Sequence, residues 1–544
     1  MPLFIRLSIL AFSVVSAIPL SVTSCVAQGD GMKEMQRLSA TSQKPVYGRW
    51  GLKENAYSSW TQHSNRLVPL YTFGVTLSDL RESGSVYADE NRLSALGGKP
   101  GRDSVTRHVT FYDQTDIYTL QQAAFEAGFT NIILMVFDGM DWETTRAAAV
   151  YRSGSVSYDS GRGMGLSFQS SLRTRTDFGL ICTSAAARGA KTDVNTQKVV
   201  SINDGHRRGF NVRLGGRTPW DRKQDGRYLL GLDSDIKHTV TDSAASATSL
   251  CSGIKTYNGA INVDLDGNHV LPIARELQRD QDCQVGIVTS VPVSHATPAS
   301  AYANNVSRKD YQDITRDLIG LPSSSHPEQP LPGVDVLIGC GYGEQKHADK
   351  LQGDNFRPGN PYFHEEDLRC VSLEQGGAYG VIKRAAGVAG AAALMKAAQT
   401  AADEQQRLIG FFGVGGGHLP YATADGKYDP TLDVTGKAEY TEADINENPT
   451  LAEMTRAALL VLEQSIDGFW LMIEAGDVDW ANHANNLDNS IGAVFSGEAA
   501  FDVVMEWIDE NNAWDYTAVI VTADHGHYLV LDHPERVAEA GRRE

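Results

Sequence analysis

The stretch Thr241–Thr248 reads TDSAASAT and sets an acid and a hydroxyl just ahead of an alanine-rich run. Alanine favours helix, so Ser243 is expected at a helix N-terminus, where unpaired N–H groups and the positive end of the dipole attract an anion. A serine oxygen placed there could attack phosphorus, provided a cation beside it held the oxyanion. A serine that only caps a helix is the plainer alternative. Further along stand Asp138, His295 with Thr297, Arg308, Glu474, Asp479 with His483, and Asp524 with His525. Asp479 and His483 are four apart, which puts both on one face of a helix and suits two ligands of one metal. Carboxylates brought together repel one another unless cations sit among them. A mixed Asp/His set suits zinc and an oxygen-rich set suits magnesium. Anchored metals, a helix-terminal serine and an arginine make a site for phosphoryl transfer.

Short apolar runs must deliver these residues. Asn131–Met140 ends in Asp-Gly at Asp138, Gln284–Ser290 runs toward His295, Gly468–Glu474 ends in a carboxylate, and Tyr516–Thr522 leads to Asp524-His525. Unbroken apolar runs of this length read as buried parallel strands, and ligands of open α/β sheets gather at their carboxyl ends. Asp335–Gly343 and Leu408–Val414 repeat the pattern, each leaving through glycines that read as turns. Val270–Leu277 and Thr450–Gln464 read as helices. Residues 28–125 carry no motif, the segment between Asp138 and Ser243 reads as irregular surface structure, and residues 422–450 read as a polar insertion or flap. The fold class expected is α/β: one large domain with a central, mostly parallel sheet flanked by helices on both faces.

The chain has 544 residues and a formal net charge of −19, which argues against nucleic acid or an anionic membrane as the main partner. Residues 1–27 read as an export signal. Arg6 precedes an apolar run too short for a confident membrane span, and Val22-Thr23-Ser24-Cys25 resembles a lipobox that would lipidate Cys25. A soluble exported form is the alternative, and either form leaves the cytosol. Cys182, Cys251, Cys283, Cys340 and Cys370 lack metal-site spacing; Cys283 and Cys340 read as buried thiols, and one disulfide among the cysteines stays open.

These blocks resemble the alkaline phosphatase family: FDGM at Asp138, TDSAASAT with KTYNGA, HATP, SRK, IEAGDVDWANH and VTADHGH, scattered over residues 131–527. The resemblance implies hydrolysis of phosphate monoesters through a phosphoserine on Ser243, with Arg308 gripping phosphate oxygens and Asp242 positioning the arginine. It implies one zinc held by Asp138, Asp524 and His525 beside Ser243, and a second zinc held by Asp479 and His483. A third metal, magnesium, would lie at Asp138, Thr297 and Glu474. His295 stands where some members carry a carboxylate, which leaves zinc or cobalt open for that third site. The family's second zinc takes a further histidine from a segment well beyond the one matching Asp524-His525. After His525 only His527 and His533 remain in this chain. The domain expected over residues 28–544 is therefore a catalytic domain with insertions and a C-terminal truncation, its second zinc weakly held. The expected partners are phosphate monoesters, with a lipid anchor at Cys25 and a homodimer as further candidates. A phosphodiesterase of the same superfamily, or a non-catalytic surface protein that binds phosphate or metal, are the alternatives.

Overall fold

The computed structural model describes residues 31–97, 100–101, 104–203, 209–233, 238–429 and 440–542. The leader-like residues 1–27, with Cys25, lie outside them. Ten strands form the main sheet: β1 (Val68–Phe73), β2 (Tyr112–Asp113), β3 (Asn131–Phe137), β4 (Thr176–Cys182), β5 (Gln284–Pro292), β6 (Val336–Cys340), β7 (Tyr379–Lys383), β8 (Arg407–Phe411), β9 (Phe469–Ala475) and β10 (Thr517–Thr522). Their spatial order is β7-β8-β6-β5-β9-β3-β10-β1-β4-β2. Every neighbouring pair is parallel except the two that β1 makes, with β10 and β4.

The helices that matter to the site are α1 (Thr115–Glu126), α2 (Ser243–Ser252), α3 (Ala296–Ser300), α4 (Leu451–Leu462), α5 (Asp477–His483) and α6 (Leu487–Glu510). All seven residues of β3 and of β9 are buried. Successive side chains of a strand point to opposite faces, so burial of every residue means that both faces of the sheet are covered. The α4 helix starts at a capping box in which Thr450 and Glu453 satisfy each other's end of the first turn. The expected α/β class is what the molecule adopts. Cys283 and Cys340 are buried thiols as expected, and all five described cysteines are free, so no disulfide forms among them.

Two sequence expectations need correction. The segment between Asp138 and Ser243 is not merely irregular: it contributes β4 to the main sheet and a hairpin, Ala190–Asp193 with Lys198–Ile202. The stretch 28–125 is not empty of organisation either, because it supplies β1, six residues that are all buried. The expected 422–450 flap is described in part: its residues 440–450 include a short helix, Glu442–Asn446, and residues 430–439 lie outside the description.

Register explains why one edge carries the chemistry. Glu474 and Thr522 both stand beside Val136, and Glu474 also stands beside Thr289. Four adjacent parallel strands thus end level with one another, and their exits open on the same side. The antiparallel β1 begins at that edge, since its Leu70 pairs with Thr522 and its Phe73 with Val519. The chain leading into β1 therefore crosses the carboxyl ends of the parallel strands.

Candidate metal and phosphate site

Ser243 is the first residue of α2 and is 2 % exposed. The capping is done by its neighbour: Asp242 Oδ1 accepts from the backbone N of Ala245 (3.0 Å) and of Gly259 (3.1 Å). That frees the serine hydroxyl, which lies 3.2 Å from His525 Nε2. The other carboxylate oxygen of Asp242 accepts from Arg308 Nη1 at 3.1 Å. Arg308 is a quarter exposed at its side chain, so it faces the open side of the site.

Two groups of side chains converge beside Ser243: Asp138 with Asp524 and His525, and His63 with Asp479, His483 and His527. In the first, His525 Nε2 lies 3.3 Å from Asp138 Oδ1 and 3.3 Å from Asp524 Oδ2. Both of those oxygens are buried without a hydrogen bond. Burial, then the neighbouring carboxylates Asp524 and Asp479, pushes Asp138 well above the usual carboxylate range. Burial, then the ring of His63, holds His525 well below the ordinary histidine value. Both groups are thus driven from their charged forms, which a cation held between them would reverse for the carboxylate. Gly139 makes the turn possible. Its φ is +72°, and a Cβ there would come within 2.9 Å of His527 Nε2. Its backbone N donates to Asp524 Oδ1 at 2.9 Å.

The second group is more telling. His63 Nδ1 lies 3.0 Å from the carbonyl of Thr241, and His483 Nδ1 lies 2.6 Å from the carbonyl of Thr61. A carbonyl can only accept, so each ring carries its proton on Nδ1. The two Nε2 lone pairs then face each other at 3.1 Å. Two acceptors at that distance repel unless a cation lies between them, and a histidine whose other nitrogen donates to a carbonyl is the usual form of a metal ligand. Asp479 Oδ1 is 3.6 Å from His63 Nε2, 3.5 Å from His483 Nε2 and 2.6 Å from His527 Nε2. Against a burial effect that would raise it, His483 and His527 bring Asp479 well below the usual carboxylate range. Aspartate and two imidazoles are a three-ligand set that fits a transition metal, with His527 steadying the aspartate.

His63 was not foreseen. It lies 420 residues before His483 and precedes β1 by a few residues, in a stretch with no periodicity of its own. The signal available was the apolar run Val68–Phe73, which marks a strand and places the residues before it at a sheet edge. The bridge between Ser64 and Gly526 then seats His63 between His525 and His527, and its ring stacks on His525 with centroids 3.7 Å apart. Of the two histidines considered as a further ligand, His527 reaches the group. His533 does not: it stands before the last helix, 3.2 Å from Glu535.

The third set is looser. Glu474 accepts a hydrogen bond from Thr289 Oγ1. Burial raises Glu474 to about 8, with the hydroxyls of Thr289 and Thr297 acting the other way. Neither Glu474 nor His295 belongs to the two tight groups. The His295 ring instead sits among Tyr311, Tyr362 and Trp480, with centroids 5.6, 5.6 and 5.5 Å away.

The alkaline phosphatase family model matches residues 223–536, which hold the site residues named above apart from Thr61, His63, Asp138 and Gly139. Alkaline phosphatase 4 of Bacillus subtilis is 29 % identical over 313 residues, covering 57 % of this chain and 54 % of its own. The alkaline phosphatase of Escherichia coli is 31 % identical over 328 residues, covering 57 % and 63 %. The chain thus spans between half and two thirds of the length of these curated relatives. Among solved structures, a cold-active alkaline phosphatase from a psychrophilic Shewanella overlays with a TM-score of 0.41 at 22 % identity, over 73 % of this chain and 68 % of that one. With more than half of its residues inside the family model and the motif residues gathered on one sheet edge, the chain belongs to the alkaline phosphatase family.

Proposed function

We propose that this protein hydrolyses phosphate monoesters through a phosphoserine formed on Ser243. The observation that carries the reading is the placement of a buried, uncapping serine hydroxyl 3.2 Å from His525, with both ligand groups beside it. Asp138, Asp524 and His525 would hold one zinc and His63, Asp479 and His483 a second, with His527 orienting Asp479. Glu474, Thr297 and Asp138 would hold a third ion, magnesium, with His295 as its neighbour. Bound metal would supply Lewis-acid stabilisation of negative charge on oxygen. The chain's own part is to bind and orient. Asp242 fixes Arg308, whose guanidinium presents paired N–H donors that fit two phosphate oxygens. The free N–H groups of the first turn of α2 favour the same anion. The Ser243 oxygen bonds to phosphorus as the ester's P–O bond breaks and the alcohol leaves with that electron pair and a proton; water later attacks the phosphoserine, releasing inorganic phosphate and returning a proton to the serine oxygen. Export directed by residues 1–27, which would take this activity outside the cytosol, a lipid anchor at Cys25 and a homodimer belong to the same proposal.

The test is covalent trapping. Purified protein incubated with a chromogenic monoester at low pH and digested should yield one phosphopeptide containing Ser243. Ser243→Ala should abolish that peptide and lower turnover by roughly a thousandfold or more, as loss of a nucleophile does. A labelled residue elsewhere, or a chromogenic diester turned over faster than the monoester, would refute the assignment.

A further inference from the structure

His63 reaches the second ligand group from a stretch that is neither helix nor strand, so side-chain bonds must hold it in place. The residue that does so lies just past the group's own helix. Helix α5 ends at His483, and Asn485 follows, fully buried and with φ at +52°. Its Nδ2 donates to Ser58 Oγ at 2.6 Å and to the carbonyl of Trp60 at 3.0 Å. A carbonyl can only accept, so the contact with Trp60 fixes which way the amide points. The backbone carbonyl of Asn485 accepts from Tyr57 Oη and, at 3.3 Å, from Gln36 Nε2. One residue thus pins Tyr57, Ser58 and Trp60 together.

The residues that come next are the ones the site uses. Thr61 offers its carbonyl to His483 Nδ1, and His63 sets its Nε2 against His483 Nε2. The end of α5 therefore carries one ligand directly and holds the approach of the other. The clamp is itself seated. Gln36 lies on the N-terminal helix, Gly31–Ser42, and is fully buried. It donates to Tyr57 Oη at 2.6 Å and accepts from Tyr47 Oη at 2.8 Å and from the backbone N of Leu487 at 2.9 Å. Packing does not explain the amide of Asn485. Its Oδ1 is buried with no hydrogen-bond partner, which is unfavourable and which an apolar side chain would avoid. The donor half of the amide is the half in use.

We propose that Asn485 is a positioning residue of the second metal site: its amide holds Ser58 and Trp60 so that His63 and His483 face one ion together. This role rests on the second metal site proposed above. A residue that orients ligands without touching the ion acts on metal affinity. The alignment of Ser243 and Arg308 does not depend on it, since both are fixed from α2 and Asp242.

The experiment titrates zinc into the metal-stripped full chain and reads bound zinc by equilibrium dialysis, with turnover of a chromogenic monoester in parallel. Asn485→Gly tolerates the positive φ and deletes the amide. Asn485→Asp keeps the size and sets an oxygen where the donor was. His63→Ala marks which zinc equilibrium belongs to the second group. Both Asn485 variants should weaken that equilibrium about 10–100-fold and leave the other unmoved, the scale of losing a partner that orients a ligand. Turnover should return when zinc is raised by the same factor. Should the buried charge of Asn485→Asp prevent folding, Asn485→Gly carries the test alone. Zinc affinities unchanged in the Asn485 variants, while His63→Ala still removes one zinc, overturn the positioning role alone. So does a loss of turnover that added zinc does not restore, which would make Asn485 a structural residue. If His63→Ala leaves both zinc equilibria as they were, the second metal site is overturned, and the role of Asn485 with it.

Discussion

In the proposed reaction Arg308 meets the phosphate with a charge that does not titrate. Its single bond to Asp242 leaves donors facing outward. Arg308→Lys keeps the charge and loses the fork, so inhibition by inorganic phosphate should weaken by about tenfold, measured as the inhibition constant. Equal inhibition in the variant would make Arg308 a structural partner of Asp242. For His63 the readout is metal content. His63→Ala leaves Asp479 and His483 as a two-ligand set, and a catalytic zinc ordinarily has three protein ligands. Mass spectrometry of the dialysed protein should therefore show a loss of about one zinc per chain, with the group at Asp138 still loaded. His533→Ala should show no loss, because His533 lies away from both groups. The reverse outcome would move the third ligand to the C-terminal end.

At the scale of elements, β3, β5, β9 and β10 were legible because each is a run of apolar residues ending in a residue of distinct chemistry. Asp138, Glu474 and Asp524 follow directly from that, as does the Asp479–His483 pairing on α5, where the four-residue spacing survives in the structure. The edge shared by these residues was legible too, since parallel strands place their carboxyl ends together. What the sequence did not mark was the place of β1 beside β10, although its apolar run is visible. An antiparallel strand needs no motif of its own, and its histidine gains meaning only from neighbours distant in the chain. The role of Asp242 as cap was also hidden, because either of two adjacent residues could cap α2. Helix α1 carries a separate consequence. Asp116 is buried there and burial raises it to about 6, although the backbone N of Asp113 donates to it. The folded state thus binds a proton more tightly than the unfolded chain, so this group's contribution to stability falls as pH rises from about 4 to about 6. Asp116→Asn keeps an acceptor and removes that loss. In urea titrations its unfolding free energy, relative to the unmutated protein, should be roughly 1–3 kcal/mol higher at pH 7 than at pH 4. A difference independent of pH would show that Asp116 does not titrate in this range.

On the scale of the molecule, the ligand groups tie together segments that are remote along the chain: His63 and Asp138 from the first part, Asp479 through His527 from the last. A bound ion that favours only the folded form stabilises it by mass action, about 2.7 kcal/mol when its concentration is a hundred times its Kd. Chelation should therefore lower the thermal midpoint and open the segment before β1 to protease, with first cuts between Ser58 and Arg66. Cuts confined to other loops, or an unmoved midpoint, would show that these residues hold no structural metal.

The place of β1 also sets an order of events during synthesis. It is made early, yet in the finished sheet it lies between β10, which is made last, and β4. Chains emerge from the N-terminus and their domains usually fold in that order. Here the order cannot hold, because one side of Val68–Phe73 has no partner until Thr517–Thr522 has appeared. For most of its birth the protein carries an apolar strand with an open edge, the kind of surface that pairs with other chains. The same strand that brings His63 to the site keeps one edge unpaired until Thr517–Thr522 arrives, and that last pairing both closes the sheet and brings His525 and His527 to His63.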